Sequence, residues 1–227
     1  MTYAPAPPAG FSRASTNRLT HHDLGRFEGP SLFASLGRAV CGAGCLPRKE
    51  LFEAWEMARR VRRRFRGGRI VDLAGGHGLL AQALLLLDDS SPSALVVDAA
   101  LPPSAAKLHA SLTAVWPRLR DRVAFVASDV EGVVVESGDL VVSCHACGGL
   151  TDVVLDVAIR AGARVAVLPC CHEVEAAPPL LTGWIDPALA MDVTRAQRLE
   201  RAGYDVWTQT IPSDITPKNR LLLGSRR

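Results

Sequence analysis

Residues Ile70 to Leu80, IVDLAGGHGLL, constrain this chain more than any other stretch: an apolar run, an acid, a turn of small residues, and the start of a leucine-rich run. A strand that feeds a glycine turn at a helix N-terminus leaves backbone N–H groups free to receive a ligand's polar atoms. Ala74, Gly75, Gly76 and Gly78 remove bulk where such a ligand approaches the main chain, and Leu79 to Leu87 supply the apolar face that docks the helix on a sheet. The pattern predicts a nucleotide-type cofactor site in an α/β fold. GHGLLA, Gly76 to Ala81, also fits the dinucleotide fingerprint with alanine in last place, so an NAD-dependent oxidoreductase stands as an alternative. Asp72 tips the balance the other way, because a carboxylate at the strand's end is placed to pair with a cationic amino group of the cofactor.

A chain of 227 residues with 48% hydrophobic composition can bury one substantial core. Charges and prolines break its apolar stretches well short of the roughly 18 to 20 residues a membrane span needs, which predicts a soluble protein with no membrane partner. The first thirty residues hold no apolar segment fit for a signal peptide, and the six cysteines fall in close pairs rather than a disulfide framework. A reducing, cytoplasmic setting is the expectation. The net charge of +3 conceals an asymmetry: Arg59, Arg60, Arg62, Arg63, Arg64, Arg66 and Arg69 form a block without an acid, and outside it 19 basic residues face 23 acidic ones. Such a block beside a cofactor site suits RNA or another polyanion, although arginines near a helix C-terminus are also ordinary solvated residues.

Residues 1 to 30, rich in Pro, Ala, Ser and Gly, read as a flexible tail, at best loosely docked. Residues 31 to 68 read as a helical cover. Leu32, Phe33, Leu36 and Val40 suit one helix ended by Gly42 and Gly44, and a second starts at Pro47, with Leu51, Trp55, Ala58, Val61, Arg62 and Phe65 in a stripe that stops at Gly67 and Gly68. Strands are expected at Ala94 to Val97, Val123 to Ala127, Asp139 to Ser143 and Arg164 to Leu168, with helices between them, hence a parallel sheet covered on both faces. Asp98 ends the second strand 20 residues beyond Gly78, where nucleotide-binding α/β folds hold ribose hydroxyls. A helix from about Pro187 to Ala202 precedes strands Tyr204 to Ile211 and Arg220 to Leu223, which close as an antiparallel hairpin.

Motif I of class I S-adenosylmethionine methyltransferases is an acid followed by a GxGxG turn, and Asp72 with Ala74, Gly76 and Gly78 resembles it, alanine standing for the first glycine. The terminal hairpin is similarly a hallmark of that class and argues against the oxidoreductase. CHACGGLTD after strand four and LPCCH after strand five resemble a narrower branch of methyltransferase-like proteins, one that includes tRNA ribose 2′-O-methylating enzymes and relatives with a rRNA-adenine-dimethylase-like name. His145, Cys147, Gly148, Thr151 and Asp152, then Cys170, Cys171 and His172, carry that match. The resemblance implies a Rossmann-like, seven-stranded methyltransferase domain over residues 69 to 227 and S-adenosyl-L-methionine as cofactor. It gives Asp72, Ala74, Gly76 and Gly78 to the methionine end, Asp98 to the ribose, and Asp129 with Val130 to the adenine. It makes RNA the leading acceptor, with a small molecule or protein as the alternative and a non-catalytic binding module behind both.

Methyl transfer is an in-line displacement, so the protein must align its partners and remove the acceptor's proton. His145, one residue past the strand-four cysteine, is the first candidate for that role and His172 the second, with a purely structural role the stronger reading for His172. Four cysteines and two histidines on one rim would also suit zinc. Adjacent Cys170 and Cys171 at a strand's end point opposite ways, however, so no metal is assigned and thiols shaping the pocket are the favoured reading.

Overall fold

The computed structural model describes residues 10–227. Seven strands, β1 (Ile70–Leu73), β2 (Ala94–Asp98), β3 (Val123–Ala127), β4 (Leu140–Ser143), β5 (Arg164–Val167), β6 (Tyr204–Thr210) and β7 (Arg220–Arg226), form one sheet in the order β3-β2-β1-β4-β5-β7-β6. The first five are parallel, and β7 inserts antiparallel between β5 and β6. This is the Rossmann-like methyltransferase fold expected, with β7 running three residues past Leu223. The helices are α1 (Leu32–Ala43), α2 (Arg48–Arg64), α3 (Leu79–Leu87), α4 (Pro103–Val115), α5 (Leu150–Ala161), the short α6 (Pro179–Thr182) and α7 (Pro187–Arg201). No helix among the described residues is long and apolar enough to cross a membrane.

Strand alternation sorts the core into two clusters. Ile70, Val96, Leu140 and Val142 face α1 to α4, while Val71, Leu73, Val97, Val141 and Val165 face α5 and α7. The helical cover forms as its sequence implies. Ser31 accepts the Ala34 N–H as the cap of α1, and Gly44, in the left-handed conformation, ends it; Gly42 stays inside the helix. α2 packs on α3, and α1 on α4, so the cover is continuous with the main core rather than a separate layer.

The tail expected at the N-terminus is, from residue 10 onward, a docked strap; its first nine residues lie outside the described ones. Phe11, Leu19 and Phe27 are buried, a 3-10 helix spans His21–Arg26, and Arg18 pairs with Pro47. Three scattered apolar residues suffice because each meets a prepared seat. The Phe27 ring lies where a side chain at Gly37 would stand, 2.2 Å from an added Cβ, and the Arg48 guanidinium covers the Phe11 ring at 3.8 Å. Periodicity could not reveal this, since apart from the six-residue 3-10 helix the strap has no regular repeat.

The arginine block is likewise only in part the free patch its sequence suggested: Arg63, Arg64 and Arg66 are exposed, and the other four are engaged. Arg62 is buried and reaches Leu84 O, Ser91 Oγ and Asp88; Arg59 and Arg60 pair with Glu56; Arg66 and Arg69 bond Leu87 O and Asp139; Arg64 stacks on Trp207. Moreover the block leads into the N-terminal end of β1, whereas Glu50 near the other end of α2 lines the cavity described next. At 1.5 Å per residue those two ends of α2 lie about 20 Å apart.

Candidate active site

Strand order reverses between β1 and β4, and ligands of open α/β sheets bind outside the strand ends at such a point. A cavity of about 360 Å³ opens there, within the usual range for small-ligand sites. Asp72, the turn from Ala74 to His77, and Asp98 form one side; Cys144, His145 and Cys147 from the loop after β4 form another; Leu46, Glu50 and Ala54 of the helical cover close the third. A larger hollow of about 620 Å³ lies between α7 and the β6–β7 hairpin, but it contains none of the glycine turn, so size alone does not locate the chemistry.

Alternation along β1 sends Asp72 to the α3 side with Ile70. There its Oδ2 accepts the Ala81 N–H at 3.2 Å, supplying α3 with the N-terminal cap that Gly78 has no side chain to give. Burial, reinforced by Asp98 and only partly countered by the Ala81 N–H, pushes the Asp72 carboxyl up to about 7. No basic side chain among the described residues pairs with it. Ala74 adopts φ +54, a left-handed conformation that costs a residue with a Cβ about 1–2 kcal/mol, which explains why glycine suits this position of the motif. At Gly78 a Cβ would come within 2.8 Å of Val96 and 2.9 Å of the Phe125 ring, so only glycine lets α3 start so close to the sheet. Gly76 differs: a Cβ there would meet nothing nearer than Asp98 Oδ2 at 4.0 Å, and its N–H donates to that oxygen at 2.9 Å.

His145 lies on the cavity wall and keeps solvent access at the mouth. Loss of hydration inside the concave wall, then the charges of Lys49 and His77, hold its imidazole below the usual histidine range; the access to solvent makes the shift smaller than full burial would give. His77 donates or accepts at Ser104 Oγ through Nε2 at 2.6 Å, with its Nδ1 3.9 Å from Glu50. Burial chiefly raises the Glu50 carboxyl, with Glu53 adding to it. Sequence reasoning missed Glu50 and His77 as cavity residues. The position of His77 inside the turn was a usable signal, whereas nothing in the α2 pattern distinguished Glu50 from any first-turn acid.

The other predicted residues do not gather in the cavity. Ser128 N–H donates to the Asp98 carbonyl at 3.0 Å and so brings the following loop beside Asp98, but Asp129 is exposed. Val130 starts a 3-10 turn, Val130–Gly132, that packs on α5, and its side chain is buried in the second core cluster. His172 is outside as well: its Nε2 bonds Asp192 Oδ1 at 2.8 Å, and Asp192 also receives Arg195 and Arg220. Its catalytic candidacy gives way to a structural role in that ionic cluster.

Two corrections concern the cysteines. Cys144 is the buried, pocket-lining thiol expected, but Cys147 is exposed. Furthermore β5 ends at Val167, so Cys170 and Cys171 lie in a loop where strand alternation no longer applies, and both thiols turn toward Cys147. Hydrogen bonding from Cys147 and Cys170, aided by Lys218 and Lys49, lowers the Cys171 thiol, while burial raises the other two.

No curated protein matches the chain significantly in sequence. Among solved structures, the apo form of the S-adenosylmethionine-dependent methyltransferase SibL aligns with TM-score 0.51 and 21% identity, over 93% of this chain and 66% of its own. The pyocyanin biosynthetic protein PhzM aligns with TM-score 0.50 and 19% identity, over 91% and 61%. Ribosomal protein L11 methylase from Lactobacillus delbrueckii subsp. bulgaricus gives 0.50 and 14%, over 79% of each chain. The chain therefore spans less than two thirds of SibL and PhzM, and at these identities the likeness is one of fold. The family profile described as a methyltransferase domain matches residues 50–176, from the cavity-lining turn of α2 through the Cys170–Cys171 loop. With over half of its length matched, and with the glycine turn, Asp72 and Asp98 inside the match, the chain belongs to the methyltransferase domain family.

Proposed function

We propose that the protein is an S-adenosyl-L-methionine-dependent methyltransferase working at the cavity between β1 and β4. The observation that carries the reading is the convergence of two carboxylates, Asp72 and Asp98, on one glycine turn in one cavity. The residues fit such a cofactor. Asp72 is a buried carboxyl without a cationic partner among the described residues, as a site for an ammonium group requires, and Gly76 leaves open the space a side chain would fill. In this reading Asp72, Ala74, Gly76 and Gly78 hold the methionine end and Asp98 the ribose, with exposed Asp129 left to reach the adenine from the rim and Val130, buried in the core, taking no part. When bound, the cofactor supplies an electrophilic methyl group on a sulfonium.

The chain's own contribution is placement. Leu46, Glu50 and Ala54 close the cavity from above and keep water from its floor, while His145 at the mouth orients an acceptor's hydroxyl or amine and takes up its proton at an imidazole nitrogen. The acceptor is a finer question. RNA was the leading expectation, from the resemblance to tRNA-modifying proteins and from the arginine block. With Arg59, Arg60, Arg62 and Arg69 engaged by acids or backbone carbonyls and the block as a whole remote from the mouth, the second support is weakened, and the geometry favours a small-molecule acceptor that enters beside His145 and Cys147.

Calorimetry with S-adenosylhomocysteine against NADH tests the cofactor. The expected result is binding of the former only, weakened at least tenfold, about 1.4 kcal/mol, by Asp98→Ala in a folded protein. Equal affinity in that variant, or preferential binding of NADH, would overturn the assignment.

A further inference from the structure

We propose that Cys147, Cys170 and Cys171 bind one soft divalent cation, zinc foremost, beside the mouth of the cavity. The case is geometric. Four ligands at the usual zinc–sulfur distance of about 2.3 Å around a tetrahedral centre stand about 3.8 Å from one another. Here the Cys147 and Cys170 sulfurs are 3.4 Å apart, those of Cys170 and Cys171 are 3.8 Å apart, and all three lie within 4.8 Å of one another. A disulfide would account for two of these thiols and leave the third unexplained.

The site is also built, in that the two loops carrying it are fastened to each other and to the body of the protein. Gly148 N–H donates to the Cys171 carbonyl at 3.1 Å, and Gly149 N–H donates to Glu173 at 3.3 Å. Thr151 Oγ1 donates to Ala146 O at 2.6 Å, and buried Arg195 ties Gly148 O to Asp152 and Asp192, the latter also holding His172. The histidine, threonine and aspartate that flank the cysteines in sequence thus act as a frame that holds three thiols convergent. Three thiolate ligands select a soft or borderline ion over calcium or magnesium and leave a fourth position to water or an external donor.

The experiment is metal analysis of the full chain purified without chelator, by plasma mass spectrometry, with Cys170→Ser in parallel. The expected content is about one zinc per chain, falling to about a tenth or less in the variant, with circular dichroism showing that the variant is folded. Because unfolding of Cys170→Ser would also release metal, a cobalt(II) titration of the metal-stripped parent provides a second readout: thiolate-to-cobalt charge-transfer absorption that saturates at one equivalent. Protein that lacks zinc, gives no such absorption and shows three freely reactive thiols, or a disulfide by mass spectrometry, overturns the proposal. Binding of S-adenosylhomocysteine measured on the same samples separates the two readings, since either ligand is detected without the other.

Discussion

Asp72 is asked to do two things that its surroundings set against each other: cap α3 in the free protein and carry a negative charge for a ligand. With its carboxyl raised to about 7, the free folded state holds a proton that the unfolded chain releases near 4. A raised carboxyl therefore stabilises the fold fully at pH below about 4, and that contribution is lost as pH rises through about 7. Thermal melts of the ligand-free protein should fall between pH 5 and 8, by on the order of 3 kcal/mol at most, and Asp72→Asn should flatten that fall. A parent whose melting temperature is level across this range would show the carboxyl to be hydrated. Asp72 and Asp98 were both legible from sequence, because a strand's end fixes where its last side chain stands. Val130 was not, since a single 3-10 turn after β3 was enough to rotate it into the core.

Helix α2 joins two regions with different demands. Its first turns wall the cavity, and its last turns are anchored by Arg62, whose pair with Asp88 is almost wholly removed from water. The partners respond differently. Burial dominates at Arg62 and lowers it to about 10, whereas at Asp88 burial is outweighed by the Gly67 N–H, Ser90 and Arg62, which hold it down to about 2. Both are charged at neutral pH, so removing Arg62 leaves the Asp88 carboxylate with only the exposed Arg66, 3.6 Å away, as a cationic partner among the described residues. Arg62→Met should cost about 3 kcal/mol in denaturant unfolding, with no change in any nucleic-acid binding; a substitution without effect on stability would show the pair to be hydrated. The N-terminal strap makes a parallel claim. Phe27→Ala should cost about 3 kcal/mol if the ring sits in the Gly37 seat, against less than about 0.5 kcal/mol for a residue in a loose tail. Helices and strands could be read because their periods repeat. The strap, the cysteine loops and the fate of the arginines depend on tertiary partners that no local pattern encodes.

Taken together, the sheet and its helices follow the order expected from the alternation of apolar runs, and the position of the cavity follows from where that order reverses. What the pattern left open was which loop residues meet across the rim, a matter of backbone bonds such as Gly148 to Cys171. One detail of the topology bears on how the chain is made. Among the described residues β7, residues 220–226, is the only strand bonded to β6, and it also completes the open side of β5. Until β7 has docked, then, β6 has no strand to pair with, and the backbone groups of β5 stay available to any passing strand until the sixteen residues after Thr210 have been made and released. A translational pause between Thr210 and Arg220 would prolong that exposure, so codon speed over this short loop is expected to govern how much nascent protein aggregates.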